Sequence, residues 1–158
     1  MSITTKSGDN GFTTTFLGTR VKKNSNVIKF SASIDEVVSF LGIVISNLGL
    51  DLVFYKKIFI EVQKDLLYFS NLDKASLITK ITMMEEYINA NGNDLNISTF
   101  LLPGGDKISA LVHYARSLIR KLEISYIEAF GIKDKSILKY LNRLSDYFFI
   151  IALSIEKI

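Results

Sequence analysis

Four groups of residues in this 158-residue chain have the types and spacing to do chemistry. The first is Thr5-Lys6-Ser7-Gly8-Asp9-Asn10-Gly11-Phe12-Thr13. Two glycines three apart let successive backbone N–H groups turn toward an anion, and Lys6 and the hydroxyls add donors. The run is not a Walker loop, because the Gly-Lys-Ser/Thr order and the preceding strand are missing. A polar N-terminal arm with no ligand accounts for the same residues. In the second group, Ile108, Val112, Ala115, Ile119, Leu122 and Tyr126 share one helical face, with His113, Arg116, Arg120 and Glu123 in a stripe on its flank. Two arginines one turn apart on a half-buried flank need anionic partners, since a desolvated guanidinium without one is costly. Glu123 can supply one within the helix, so a structural ion-pair ladder competes with an anion site. His113 by itself reads as a hydrogen-bonded packing residue. The third group, Asp35-Glu36, suits the start of a helix through the helix dipole. The fourth, Asn142-Arg143-Leu144-Ser145-Asp146-Tyr147, is polar among apolar neighbours. A mid-helix asparagine gains nothing from propensity, leaving a buried hydrogen-bonded cluster and a binding role as the two readings.

Composition removes other chemistries. With no cysteine, the chain has no disulfide framework, thiolate metal site or cysteine nucleophile. One histidine cannot build a multi-histidine zinc centre. Nineteen Lys and Arg against sixteen Asp and Glu give a net charge of +3, too weak a bias for a dedicated nucleic-acid binder but compatible with local binding of a nucleotide. The first residues carry no apolar signal core. The longest apolar stretches, 37–45 and 147–153, fall short of the about 20 residues that span a bilayer. A cytoplasmic protein without a membrane segment is the expectation.

The elements that must position these groups are helices. Apolar residues make up 48% of the chain, with one proline and nine glycines, which favours few, long helices over many hairpins. Helical spacing recurs over 34–48, 52–70, 75–90, 105–130 and 134–157. Ser33 with Glu36 reads as a capping box for the first helix. Asp106 is placed to cap the fourth and Gly131 to end it. Residues 1–33, rich in Gly, Thr and Ser with no helical period, read as a loop arm. The expectation is an all-α single domain over 1–158: a phosphate-binding arm (1–33) and a five-helix bundle (34–158) with antiparallel neighbours. Phe40, Leu41, Ile43, Val44 and Ile45, like Phe148, Phe149, Ile150, Ile151 and Leu153, cover more than one helix face, which predicts contact with another subunit.

The blocks together resemble the PduO-type corrinoid adenosyltransferases, the ATP:cob(I)alamin adenosyltransferases. The resemblance covers nearly the whole chain in order: 5–13, Arg20-Val21-Lys22-Lys23, Asp35-Glu36, Phe100-Leu101-Leu102-Pro103-Gly104-Gly105, the run from His113 to Glu123, and Tyr140 to Phe148. It implies a homotrimer with ATP between subunits and transfer of the 5′-deoxyadenosyl group of ATP to the cobalt of cob(I)alamin. Because Co(I) is the nucleophile, no side-chain nucleophile is required. By the same resemblance, Thr5, Lys6, Ser7, Gly8, Asp9, Gly11 and Thr13 wrap the phosphates with Mg²⁺. Lys23, Arg120, Glu123 and Asn142 belong to the ATP site. Arg116 pairs with Asp35 of a neighbouring subunit. Phe100 displaces the lower ligand of cobalamin. A reductase and a cobalamin-dependent acceptor enzyme are the implied partners. Lys121 and Ile124 stand where the family usually has arginines, and Ala32 where it usually has glycine. A weakened homologue acting as a corrinoid or nucleotide carrier is therefore the alternative.

Overall fold

The computed structural model describes residue 6 and residues 8–15, 18–92 and 102–158. Five helices follow a short hairpin: β1 (Phe12–Thr14), β2 (Arg20–Lys22), α1 (Asn26–Asn47), α2 (Val53–Leu67), α3 (Lys74–Gly92), α4 (Lys107–Phe130) and α5 (Lys135–Glu156). Single 3-10 turns lie before and after α2, at Leu50–Leu52 and Phe69–Asn71. The five-helix architecture matches the expectation; the hairpin is an addition to it.

The first helix begins eight residues earlier than its apolar period suggests. Phe30, Ser33, Val37, Leu41 and Val44 form its buried stripe. The small hydroxyl of Ser33 interrupts the apolar pattern while still fitting the core. Ser33 therefore does not cap the helix: Ser25 occupies the N-cap. Asp35 and Glu36 lie in the third turn, so the dipole account of them fails as well. At α4 the sequence signals are correct. The Asp106 carboxylate accepts from the backbone N–H groups of Ile108 and Ser109, both at 2.8 Å, which typically adds about 1 kcal/mol. Gly131, with φ of 71°, ends the helix and donates its N–H to the Ile127 carbonyl.

Packing follows the apolar faces. α4 lies between α1 and α5, and α3 runs beside α5. Asn26 meets the Glu128 carbonyl, Glu36 meets Lys121, and Lys107 meets Asn47, so α1 and α4 are antiparallel. Glu85 meets Arg143 and Tyr87 meets Tyr147, so α3 and α5 run parallel, unlike the antiparallel neighbours expected throughout. Phe59 of α2 packs on Phe148 of α5 with ring centroids 5.3 Å apart. Phe30, Phe69, Tyr126 and Phe130 close the end where α1 begins. Each fully buried Leu or Phe contributes roughly 1.5–3 kcal/mol.

On α5 the surface expected to meet another subunit narrows to Phe149, which is half-buried. The apolar surplus of α5 is consumed inside the chain, since Phe148, Ile150, Ile151 and Leu153 are all buried. Exposed apolar side chains on α1 and α4 include Ile43, Tyr114 and Ile124; α2 and α3 expose others, such as Phe54 and Met83. No helix among the described residues is long and apolar enough to cross a membrane.

Candidate functional site

The arm is built from turns and held together by its own backbone bonds. Thr13 pairs with Val21 at the centre of the antiparallel hairpin, and these two side chains face inward while their neighbours are exposed. Ahead of β1 the chain turns twice. Asp9 N–H donates to the Lys6 carbonyl at 3.3 Å, and Gly11 N–H to the Gly8 carbonyl at 3.2 Å. Gly11 has φ of 80°, a conformation side chains resist. Lys23 N–H then donates to the Gly11 carbonyl at 2.9 Å, folding the residue after β2 back onto the glycine turn. Its side chain follows. A Cβ built on Gly8 would stand 2.7 Å from Lys23 Nζ and 2.9 Å from its Cε. The bare glycine is what admits the ammonium. Lys6, Gly8, Asp9, Gly11, Thr13 and Lys23 therefore gather in one small unit; Thr5 and Ser7 lie outside the described residues.

On α4 the core face is as the spacing requires: Ile108, Val112, Ala115, Ile119, Leu122 and Tyr126 are buried. On its flank, the Arg116 guanidinium sits 5.1 Å above the Phe149 ring of α5. His113 meets the same ring edge-on at 5.8 Å. Burial lowers the Arg116 pKa from its ordinary value, the Arg120 charge adds to that, and Asp146 opposes it. His113 is likewise held below its ordinary value by burial first and by Arg116 second, with Glu156 opposing. Among the described residues neither Arg116 nor Arg120 has a carboxylate at ion-pair distance. The Arg120–Glu123 ladder is not formed. A half-buried guanidinium without an anion, as at Arg116, is costly.

Asn142 faces outward on α5, half-buried, and its Oδ1 accepts from Arg143 Nη1 at 2.8 Å. Arg143 Nε donates to Glu85 Oε1 of α3 at 2.8 Å, and Lys139 Nζ lies 3.1 Å from the same oxygen. The antiparallel register fixed by Arg116 over Phe149 places Glu123 level with Asn142, so these two share a height on adjacent helices. Asp35 is exposed and forms no ion pair among the described residues, while its neighbour Glu36 holds Lys121 at 2.7 Å.

The site thus comes in two halves. α1 docks by Asn26 against Glu128, eight residues beyond Arg120, which is about 12 Å along the helix axis. The start of α1 is thus about two turns from Arg120 along α4, and no ion pair joins Asp35 to Arg116 among the described residues. Phe100 lies outside the described residues. No three His, Asp or Glu side chains among the described residues converge on a point that could hold a metal. Two participants escaped the sequence reading. Glu85 sits on a helix whose pattern carries no distinguishing signal, and the Glu36–Lys121 pair joins residues 85 positions apart. Arg143, by contrast, stood in plain view beside Asn142.

Fold and site together define a five-helix bundle behind a short hairpin, with cations on the arm and on the α4 flank that have no ion-pair partner among the described residues. A family model for cobalamin adenosyltransferases matches residues 3–155. The chain is 30% identical to the corrinoid adenosyltransferase of Bacillus subtilis, over 96% of this chain and 85% of that protein. It is 29% identical to corrinoid adenosyltransferase MMAB of Homo sapiens, over 95% of this chain and 67% of that one. Its fold matches that of a variant PduO-type ATP:corrinoid adenosyltransferase from Lactobacillus reuteri complexed with cobalamin and ATP. The TM-score is 0.88 at 24% identity, covering 99% of this chain and 91% of the other. The chain belongs to the cobalamin adenosyltransferase family.

Proposed function

We propose that this chain transfers the 5′-deoxyadenosyl group of ATP to the cobalt of cob(I)alamin at a site completed between subunits. The observation that carries the reading is the pair of half-sites. Lys23 with its glycine turn, and Arg116 with Arg120, are cations without an ion-pair partner among the described residues. A ring of three copies would bring the arm of one subunit to the α4–α5 flank of the next, with Asp35 reaching Arg116 across the boundary. The exposed Ile43, Tyr114 and Ile124 supply apolar surface for that contact.

In the reaction, the Co(I) electron pair attacks C5′ of ATP. The Co–C bond forms as the C5′–O bond breaks, and triphosphate leaves with that bond's electrons. Cobalt passes formally to Co(III). The protein places C5′ over cobalt and stabilises charge on the leaving group. Thr5, Lys6, Ser7, Gly8, Asp9, Gly11, Thr13 and Lys23 hold the phosphates, and Arg120 neutralises the departing triphosphate. Glu123 and Asn142 orient the nucleotide from the adjacent helices. Phe100 is assigned to the corrin, where it would displace the lower ligand and ease reduction to Co(I). Mg²⁺ is assigned to the phosphate oxygens of ATP, where a divalent cation offsets their charge. The product goes to a cobalamin-dependent enzyme and electrons arrive from a reductase, in the cytoplasm.

The test supplies ATP, Mg²⁺ and chemically reduced cobalamin and follows adenosylcobalamin by absorbance. Formation of product is expected, with Arg120→Ala slowing it by about 10²-fold or more. Folded protein that yields no product would overturn the enzyme reading. It would favour the alternative of a corrinoid or nucleotide carrier, for which one observation speaks: Lys121 is engaged by Glu36 at 2.7 Å and is not directed to a ligand.

A further inference from the structure

The Asn142 amide could face a ligand with either its oxygen or its nitrogen, and the two choices recognise opposite chemistry. The fold decides between them. Arg143 is a donor-only group, so the Asn142 atom against its Nη1, 2.8 Å away, must be the carbonyl oxygen. Reversing the amide would set donor against donor. Arg143 is itself fixed from α3. Its Nε donates to Glu85 Oε1 at 2.8 Å and its Nη1 reaches Asp146 Oδ2 at 3.3 Å. That contact with Glu85 raises the Arg143 pKa, and the same contact followed by Lys139 lowers that of Glu85, so both stay charged. With its oxygen taken, Asn142 has its Nδ2 left to offer, and that nitrogen donates to nothing among the described residues. On the α5 surface Asn142 lies between Phe149, which carries Arg116, and Arg143, which is bound to α3.

We propose that Glu85 and Arg143 are positioning residues for the nucleotide. They hold the Asn142 amide so that its NH₂ points to the ligand, which restricts its partner to an acceptor atom of ATP. The α4–α5 surface assigned to the nucleotide then offers Arg120 and the Asn142 amide as donors, with Glu123 the one acceptor beside them. The Asn142 NH₂ itself fits a phosphate, ribose or ring-nitrogen acceptor and not an exocyclic amino group. The planar fork holds Glu85 by Nε and Asn142 by Nη1 at a fixed angle, so Arg143→Lys would keep the ion pair and lose that fixed orientation.

This inference rests on the nucleotide contact proposed for Asn142, and the experiment separates the two. ATP affinity of the full-length protein is measured by calorimetry, alongside KM and kcat for ATP, KM for cobalamin, and the melting temperature. Asn142→Ala should weaken ATP binding about tenfold, the equivalent of one hydrogen bond to a charged partner. Asn142→Asp still accepts from Arg143 and should bind ATP no better than Asn142→Ala. Glu85→Gln and Arg143→Lys should each raise the KM for ATP about three- to tenfold, with kcat within about twofold, cobalamin KM unchanged and melting close to the parent. If Asn142→Ala binds ATP as the parent does, the nucleotide contact itself is refuted. If Asn142→Ala is weak but Asn142→Asp is normal, the amide accepts rather than donates and the positioning proposal is overturned. It is equally overturned if both Asn142 variants are weak while Glu85→Gln and Arg143→Lys match the parent.

Discussion

Adding one methyl group at Gly8 should separate nucleotide binding from stability. A Cβ there would lie 2.7 Å from Lys23 Nζ and 2.9 Å from Cε, against ordinary contacts of about 3.5–4.0 Å. Gly8 is not among the positive-φ glycines, so alanine needs no backbone strain, and what must yield is the flexible end of the lysine. The ammonium has to retreat by about 1 Å. For a unit charge about 3 Å from a phosphate oxygen, that retreat removes about 1.4 kcal/mol at an effective dielectric of about 20, a tenfold loss. Lys23 is exposed, so salt screening reduces the effect toward about threefold at physiological ionic strength. Folding moves the other way, because alanine restricts the unfolded chain more than glycine by about 0.4–1 kcal/mol. Gly8→Ala should thus bind ATP three- to tenfold more weakly, with a steeper salt dependence of the difference at low salt, and melt at or slightly above the parent temperature. Calorimetric titration at two salt concentrations and a thermal melt suffice. Unchanged affinity would show that the ammonium beside Gly8 is not a phosphate contact. A melting point lower by several degrees would show that the site around Gly8 is more crowded than the Lys23 side chain and the Phe12 carbonyl 3.6 Å away imply.

Phe148→Ala, which removes a fully buried ring packed on Phe59, should cost about 3–5 kcal/mol in denaturant unfolding; a cost below about 1 kcal/mol would contradict the packing. His113 has a folded pKa below 6.5, so the unfolded chain binds more protons in that window. Stability should therefore fall as pH drops below about 6.5 toward the folded value, and His113→Gln should flatten the slope between pH 7 and 5; parallel slopes would contradict this. Asp35→Ala and Arg116→Ala should each weaken both activity and trimer in sedimentation. A protein that stays monomeric in every form would refute the intersubunit pairing.

How much of this was legible in the sequence depended on whether a residue's role is set by neighbours along the chain. The face of α4 could be read from spacing because Val112, Ala115, Ile119 and Leu122 are all apolar and all buried; the Asp106 and Gly131 caps are equally local. Ser33 misled for a physical reason. It is only 8% exposed yet polar, so it broke the apolar period where the helix actually continues, and its capping signature belonged to a position inside α1. On α5 the apolar residues suggested an outward surface, because periodicity does not say how many neighbours a helix has. α3 and α4 on either side, and Phe59 of α2, take up those faces. The arginine stripe was visible, but its missing partner was not, since the alternative of pairing with Glu123 satisfies the same spacing. The contacts of Lys23 with Gly8 and of Glu85 with Arg143 join distant segments, and neither pair leaves a mark in the sequence.

The hairpin that carries the glycine turn has a different standing from the helices. Neither strand contributes a buried side chain, and its ties are backbone bonds such as Lys23 to Gly11. Segments with so little burial open with their own small free energy, independently of global unfolding. Nucleotide held by that turn would close it, so amide exchange at Gly11 and Lys23 would slow with ATP at concentrations set by local opening, while the bundle amides would respond only through mass action on the whole fold. Occupancy of the site would thus be written first in the exchange rates of a few arm amides, well before it registers in the cooperative melt.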